Sequence, residues 1–385
     1  MKITHICMSG MTDGFNYQEN VLSKYHKKLG YDVSVITTQW IWGTDGKLQT
    51  TDKTNYVNKD GVKVIRLPMR CGTPVNKLKV FPGLYRAVEQ EQPDILFIHN
   101  CQFLDICKLA KYAKRHKNVK IFVDNHVDFS NGAHGWLSKN ILHKGLWRFC
   151  VKKIEPYTTK FYGVLPARVD FLRNMYDLPA EKCELLVMGG DDELVEAAAK
   201  PEVRGQLRKQ YGIEQDDFLI ITGGKIDAYK TQTLLLMEAV QNIHNSKVKL
   251  IVFGSVNDAL KEKVESLADG KKVQNIGWIN ANDSYRYFAA ADLAVFPGRH
   301  SVFWEQVTAQ GIPMLCKKWD GTTHVDVGGN VRFLEEDSAE LIQREIERLL
   351  EHPEEYARMK KVAAGNGMKT FAYSQIARRS VECSN

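Results

Sequence analysis

Four stretches of the chain combine charge, imidazole and glycine at spacings that could do chemistry. The first is Gly223-Gly224-Lys225-Ile226-Asp227-Ala228-Tyr229-Lys230. Its lysines stand five residues apart in a glycine-bearing loop, where they could clamp a diphosphate as paired point charges. The second runs from Gly298 through His300, Ser301 and Val302 to Glu305 and Gln306. There, His300-Ser301 could cap a helix whose first amides face an anion. Glu305 or Gln306, one turn in, could accept hydrogen bonds from ribose hydroxyls. The third joins His99-Asn100 with Asp124-Asn125-His126-Val127-Asp128, two histidines among carboxylates. The fourth is Ser9-Gly10-Met11-Thr12-Asp13-Gly14, where glycines could let amides approach an anion at a helix start. Each stretch also has a plainer reading: a solvated loop, a capped helix, structural histidines, a tight turn. Spacing alone leaves both open. No GxGxxG or Walker pattern is present, and no acidic residue closes the second strand as a ribose reader, which disfavours a nicotinamide dehydrogenase. Asp191-Asp192-Glu193 has no His or Cys at ligand spacing. It reads as a solvated acidic turn, and no metal is expected.

These residues need strands to bring them together. Short β-branched apolar runs occur at 2–8, 32–37, 62–67, 94–99, 120–124 and 160–165, and again at 218–222, 248–253, 273–276, 293–296, 313–316 and 330–334. Their near-continuous apolar character suits parallel strands covered on both faces, and amphipathic helical patterns separate them. The βαβ rhythm runs twice, which predicts two doubly wound α/β domains. In such sheets ligands bind beyond the carboxyl ends of the strands, where all four stretches fall. The expected division is 1–190 and 191–369, with a terminal helix at about 370–385 packing back on the first domain. The boundary is placed in a polar stretch from about Gly189 to Asp217.

The 385 residues are 44% hydrophobic and 26% charged, which excludes disordered and fibrous classes. No run reaches the roughly 18 apolar residues of a membrane span, and the first residues lack the pattern of a signal peptide. Eight scattered cysteines without CxxC spacing fit a reducing compartment, so a cytoplasmic protein is expected. A net charge of +7 allows an anionic partner. No nucleic-acid module is recognisable. Trp136–Ile154 reads as a basic amphipathic helix, with Leu142, Leu146, Phe149, Cys150 and Ile154 on one face and Lys144, Arg148 and Lys152 on the other. It could face a core or seat on an anionic bilayer.

The order of these elements resembles the retaining glycosyltransferases of family 4, the glycosyl transferases group 1, over nearly the whole chain. Lys28-Leu29-Gly30-Tyr31-Asp32-Val33 is similar to that family's "GHeV" turn, and Gly14 to the second glycine of its phosphate-contacting loop. Asp124-Asn125-His126 resembles the "TxH" strand end, Leu186–Asp191 the "vipNGvD" segment, and Gly224–Lys230 "GRL…eKG". Val273–Pro297 resembles "v.f.G…ADv.v.PS", and Gly311-Ile312-Pro313 matches "GxP". Departures lie around the family's E-x7-E motif. Gln306 fills its second glutamate slot with Glu305 beside it, His300 stands near the first, and Lys225 replaces an arginine.

The resemblance implies a GT-B fold, two Rossmann-like domains facing each other across a cleft. It implies a retaining, metal-independent hexosyltransferase that uses a nucleotide-diphosphate sugar, with a UDP-sugar favoured, and no further cofactor. By this resemblance His126, Lys225 and Lys230 would carry the chemistry. Gly14, Gly224, Asn275, Ile276, Trp278, His300, Ser301, Val302, Glu305 and Gln306 would hold the donor, and His99, Asn100 and Asp128 the acceptor. The acceptor would be a glycan or a lipid-diphosphate-linked glycan of cell-surface polysaccharide synthesis, at the inner membrane face. The competing expectations are another GT-B enzyme such as a nucleotide-sugar epimerase, or a non-catalytic sugar-nucleotide binder.

Overall fold

The computed structural model describes residues 1–43, 47–70 and 78–382. The chain divides into two compact units: Met1–Val187 with Ile376–Asn385, and Met188–Gln375. Cys71 and Cys383 lie outside the described residues.

The first unit is built on an eight-stranded sheet. Its strands are β1 (Lys2–Cys7), β2 (Asp32–Thr38), β5 (Asn55–Val57), β6 (Lys63–Leu67), β7 (Ile95–His99), β8 (Lys120–Asn125), β9 (Thr158–Gly163) and β10 (Cys183–Leu185). A small antiparallel hairpin, β3 (Trp40–Trp42) and β4 (Leu48–Thr50), interrupts the series. The order is β10-β9-β8-β7-β1-β2-β6-β5, and only the edge strand β5 runs antiparallel. Central strands are buried from end to end, as for Ile95–His99, which is why their sequences show no alternation. In-register pairing sets Cys7 opposite His99 and His99 opposite Asp124, so three carboxyl ends finish level. The core includes Phe97, Phe122, Phe161 and Trp147.

The second unit carries a six-stranded all-parallel sheet: β11 (Phe218–Gly223), β12 (Val248–Phe253), β13 (Val273–Asn275), β14 (Leu293–Phe296), β15 (Met314–Lys317) and β16 (Val331–Leu334). Its order is β13-β12-β11-β14-β15-β16. The series turns back between β11 and β14, the kind of switch point where such sheets bind ligands. The polar stretch after Gly189 is no loose connector. It forms the helices Asp192–Ala198 and Pro201–Gln210 of this unit. Asp191 is buried as the N-cap of the first, accepting from Glu193 N at 3.1 Å, so it is not a solvated turn.

Trp136–Ile154 is also not one regular helix. Ser138–Trp147 is wound as a π-helix and Arg148–Ile154 as an α-helix. The wider winding changes the phase of the side chains. Phe149 therefore points out, at 58% exposure, while Trp147 and Val151 take core positions. Among the described residues no helix is long and apolar enough to cross a membrane.

Candidate functional site

In the second unit the ends of β11 and β12 meet at three glycines. Gly224 N donates to Phe253 O at 3.0 Å, and Gly254 N to Gly277 O at 2.7 Å. Gly254 has φ +132°, and a Cβ there would stand 1.9 Å from Gly224 O. Glycine is the residue this crossing accepts. Beside it opens a cavity of about 230 Å³, lined by Gly224, Lys225, Phe253, Gly254, Trp278 and Phe303. Room beside glycine backbone, one cation and aromatic faces suit the phosphate and base of a nucleotide. Lys225 is largely exposed, 3.5 Å from Asp227 Oδ2. Lys230 N–H closes a turn on Asp227 O, and its side chain has no ion-pair partner among the described residues. Trp278 is 71% exposed. Asn275 supports the turn before it, Oδ1 accepting from Gly277 N at 3.4 Å, and Ile276 N donates to Val252 O.

The helix after β14 spans only Phe303–Ala309, and Val302 at its N-cap makes no side-chain cap. Ser301 contributes instead through its Oγ, which accepts weakly from Phe303 N at 3.4 Å. The expected cap by His300-Ser301 is thus corrected. Glu305 and Gln306 diverge. Gln306 Nε2 lies 2.9 Å from the hydroxyl of Ser284, a residue lining the cavity. Glu305 is fully buried on the other side of the helix, where Oε1 accepts from His300 Nε2 at 2.7 Å and His324 Nε2 at 2.9 Å. Burial alone would raise its pKa. The two imidazoles outweigh this and hold the carboxyl well below its usual range. Buried there, Glu305 does not reach a ribose, which corrects one of the two expected alternatives.

His300, Glu305 and His324 are also three residues whose ligand atoms lie close enough together to hold a cation. The surroundings do not complete such a site. His324 Nδ1 is buried with no partner among the described residues, whereas a metal-bound imidazole almost always donates its second N–H. The two hydrogen bonds to Glu305 describe the cluster better. His324 was not foreseen, because nothing in its local sequence marks it.

In the first unit the level strand ends gather His99, Asn100, Asp124 and His126. Asp124 is fully buried and its carboxyl is held far below the usual range. Burial opposes ionisation, but the charges of His99 and His126 outweigh it. Its Oδ2 accepts from His99 Nδ1 at 2.7 Å, and its Oδ1 from Asn100 N at 2.9 Å. His126 Nε2 stands 3.5 Å from Oδ1. Asn100 adopts φ +65°, and its side chain accepts from His126 N at 3.0 Å. Asparagine tolerates this left-handed conformation better than most residues, and here it places the side chain that fixes the His126 amide.

Two expected acceptor contacts are corrected. His99 is buried, and its second nitrogen, Nε2, lies 3.0 Å from His5 Nδ1, so no nitrogen is left for a ligand. Asp128 is buried, accepting from Ser130 N and from Arg168 Nε at 3.2 Å, which fixes its own loop. Gly14 is exposed with φ +82°, four residues before the helix Gln18–Lys28. That loop is braced by buried Arg66, whose Nη1 donates to Met11 O and Thr38 O.

Residues 203–365 match the family model of Glycosyl transferases group 1. That match falls within the second unit and covers less than half of the chain. An uncharacterized glycosyltransferase of Methanocaldococcus jannaschii is 20% identical over 157 residues, a match covering 40% of each chain. The chain thus covers less than half of that relative's length. Among solved structures, HepE of Anabaena in complex with UDP superposes with a TM-score of 0.70 at 17% identity, covering 98% of both chains. WaaG, a glycosyltransferase involved in lipopolysaccharide biosynthesis, gives 0.63 at 15% identity over 100% of both. The fold is therefore GT-B, built on two Rossmann-like units.

Proposed function

We propose that the protein transfers a hexosyl group, with retention at the anomeric carbon, from a nucleotide-diphosphate sugar to a hydroxyl of a glycan or lipid-linked acceptor. The observation that carries the donor side is the cavity at the crossing of Gly224 and Gly254, with Lys225 on its wall. The diphosphate lies in that cavity, where the glycines leave room for it, and Lys225 and Lys230 offset the charge that grows as it leaves. Preorganised stabilisation of this kind is often the largest catalytic contribution. Trp278 offers a face to the base. Gln306, beside Ser284, takes the ribose position. The departing phosphate oxygen accepts the acceptor's proton, so no protein nucleophile is needed. His126 hydrogen-bonds the donor sugar near the reacting carbon. HepE, which superposes on this chain, has been solved with UDP-glucose, and a uridine nucleotide is the first donor to try.

For the acceptor we take a lipid-diphosphate-linked glycan presented at an anionic bilayer. Trp136, Leu137 and Ile141 are exposed by 71%, 66% and 58%, with exposed Lys139 and Lys144 among them. Lys139 lies 5.6 Å from the Phe129 ring and Lys153 5.0 Å from that of Phe149. Aromatic and aliphatic tips flanked by lysines suit the headgroup region of an anionic membrane.

The deciding experiment incubates the protein with a panel of radiolabelled sugar nucleotides, with and without a lipid-linked glycan extract. Transfer of label to acceptor with retained configuration is expected. Conversion of the donor sugar without any acceptor would replace this reading by an epimerase. Tight donor binding without turnover would replace it by a sugar-nucleotide binder.

A further inference from the structure

Behind Asp124 the first unit holds three histidines in line. His99 Nε2 lies 3.0 Å from His5 Nδ1, and His5 Nε2 lies 3.0 Å from His26 Nδ1. His26 Nε2 lies 2.9 Å from Ser380 Oγ and 3.0 Å from Ala377 O, on the last helix. Ser380 Oγ in turn lies 2.9 Å from Ala377 O. All five residues are buried, His5, His26, Ala377 and Ser380 completely. The line thus runs from the last helix through β1 to the carboxylate beside His126.

The proton count along this line is constrained. It has four contacts: Asp124 with His99, His99 with His5, His5 with His26, and His26 with the last helix. Each is satisfied by one hydrogen, and none tolerates two lone pairs or two hydrogens face to face. Three neutral imidazoles supply three hydrogens. The first three contacts then require the Nδ1–H form throughout, each ring donating towards Asp124. The fourth hydrogen must come from the Ser380 hydroxyl, donated to His26 Nε2, and it alone offsets the Ala377 O lone pair 3.0 Å from that nitrogen. The other solution adds one proton. His99 becomes an imidazolium, His5 and His26 switch to Nε2–H, and His26 donates to Ser380 Oγ and Ala377 O. One proton therefore reverses the whole line, and Ser380 is the group that permits the neutral state.

We propose that His5, His26, His99 and Ser380 form a one-proton relay that positions and tunes His126 through Asp124. It rests on His126 acting at the donor sugar, as proposed above. With the relay neutral, the Asp124 charge is available to hold His126 and to favour positive charge developing at the sugar. With the relay protonated, His99 neutralises that charge 2.7 Å away and the acid form transfers slowly. These four are positioning residues, since none touches substrate.

Burial keeps His26 uncharged, pushing it to about 3, and pushes His5 down likewise. Burial also disfavours charge on His99, but Asp124 outweighs it and the net shift is upward, so the added proton belongs there. The other titratable groups around the line are Glu19, whose charge reaches His99, and Cys7, which burial keeps protonated. Tyr31 meets His26 edge-on at 6.0 Å, and the Tyr162 hydroxyl donates to Arg379 O. His126 completes the set.

The test is Ser380→Ala in the full chain, with kcat/KM followed across pH. Without the hydroxyl, the neutral line leaves His26 Nε2 with no donor to offset the opposing Ala377 O, while the protonated line keeps the bond to Ala377 O. The acid limb should move up by about 0.5–1 pH unit, the equivalent of one ordinary hydrogen bond. The alkaline rate should stay at the wild-type value. In parallel, imidazole nitrogen shifts of the wild-type protein should show His5 and His26 changing from Nδ1–H to Nε2–H together, at the same midpoint as His99. An unmoved acid limb in a folded Ser380→Ala protein, or independent titration of the three rings, overturns the relay. Unchanged turnover in His126→Ala would instead overturn the site reading, and the nitrogen shifts still judge the relay if Ser380→Ala does not fold.

Discussion

Lys225 and Lys230 occupy the same loop but not the same electrostatic position. Lys225 is largely exposed and shares its charge with Asp227, 3.5 Å away. Lys230 is half-buried and has no ion-pair partner among the described residues, so its full charge is available to an anion. Lys230→Ala should lower kcat by about 100-fold, and Lys225→Ala by roughly ten-fold, in a donor-saturated transfer assay. Wild-type turnover in the first variant would remove that lysine from the mechanism. Gly254 is a residue of a different kind, needed for what it lacks. A methyl group there would stand 1.9 Å from a backbone oxygen, which cannot retreat as a flexible side chain does. Gly254→Ala should therefore lose donor binding in a calorimetric titration and cost about 2–4 kcal/mol of stability in denaturant melts. Tight donor binding would show that the loop re-forms elsewhere.

Elements with strong patterning were legible, and those governed by winding or by tertiary partners were not. Val248–Phe253 and Leu293–Phe296 read correctly as buried parallel strands because apolar runs bounded by glycine and proline leave few alternatives. The loops following β11 and β14 were found for the same reason, since strand ends mark where ligands bind. The phase of Ser138–Trp147 was not readable, because an assumed period of 3.6 residues puts Phe149 inside where π-winding puts it out. Gly254 was missed although Phe253-Gly254-Ser255 directly after a strand was a usable signal. His5 gave one too, as a polar residue inside the apolar strand Lys2–Cys7, but its partners lie 21 and 94 residues away and no local pattern links them. The altered winding leads to a prediction at this scale. Replacing exposed Trp136 and Ile141 by serine should lower binding to anionic vesicles at least ten-fold in flotation, with no change in Tm, since neither side chain is in the core. Unchanged flotation would show that this face does not carry membrane contact.

For the whole molecule, the buried ionisable groups fix how stability follows pH. His26, depressed to about 3 from an ordinary value of 6.5, stays neutral in the fold while the unfolded chain takes up a proton. Above pH 6.5 neither form is protonated and the group contributes nothing. As pH falls from 6.5 towards 3, unfolding gains a proton and stability is lost, by about 2 kcal/mol at pH 5 from this residue alone. His5 is shifted in the same direction and adds to the loss. His99 is shifted upward and acts oppositely, stabilising below its unfolded value and losing that as pH rises through its folded one. Asp124 and Glu305, both depressed, keep their contribution down to the ordinary carboxylate range and lose it only below about pH 4.5. Two histidines against one make the first decline a histidine effect, placed between pH 6.5 and 5 before any carboxylate titrates. Thermal melts from pH 8 to 5 should therefore show Tm falling as pH drops below 6.5, and His26→Gln should flatten that slope whatever it does to Tm at pH 8. A wild-type profile level down to pH 5, with a fall only below 4.5, would mean that these imidazoles are solvated in the native protein.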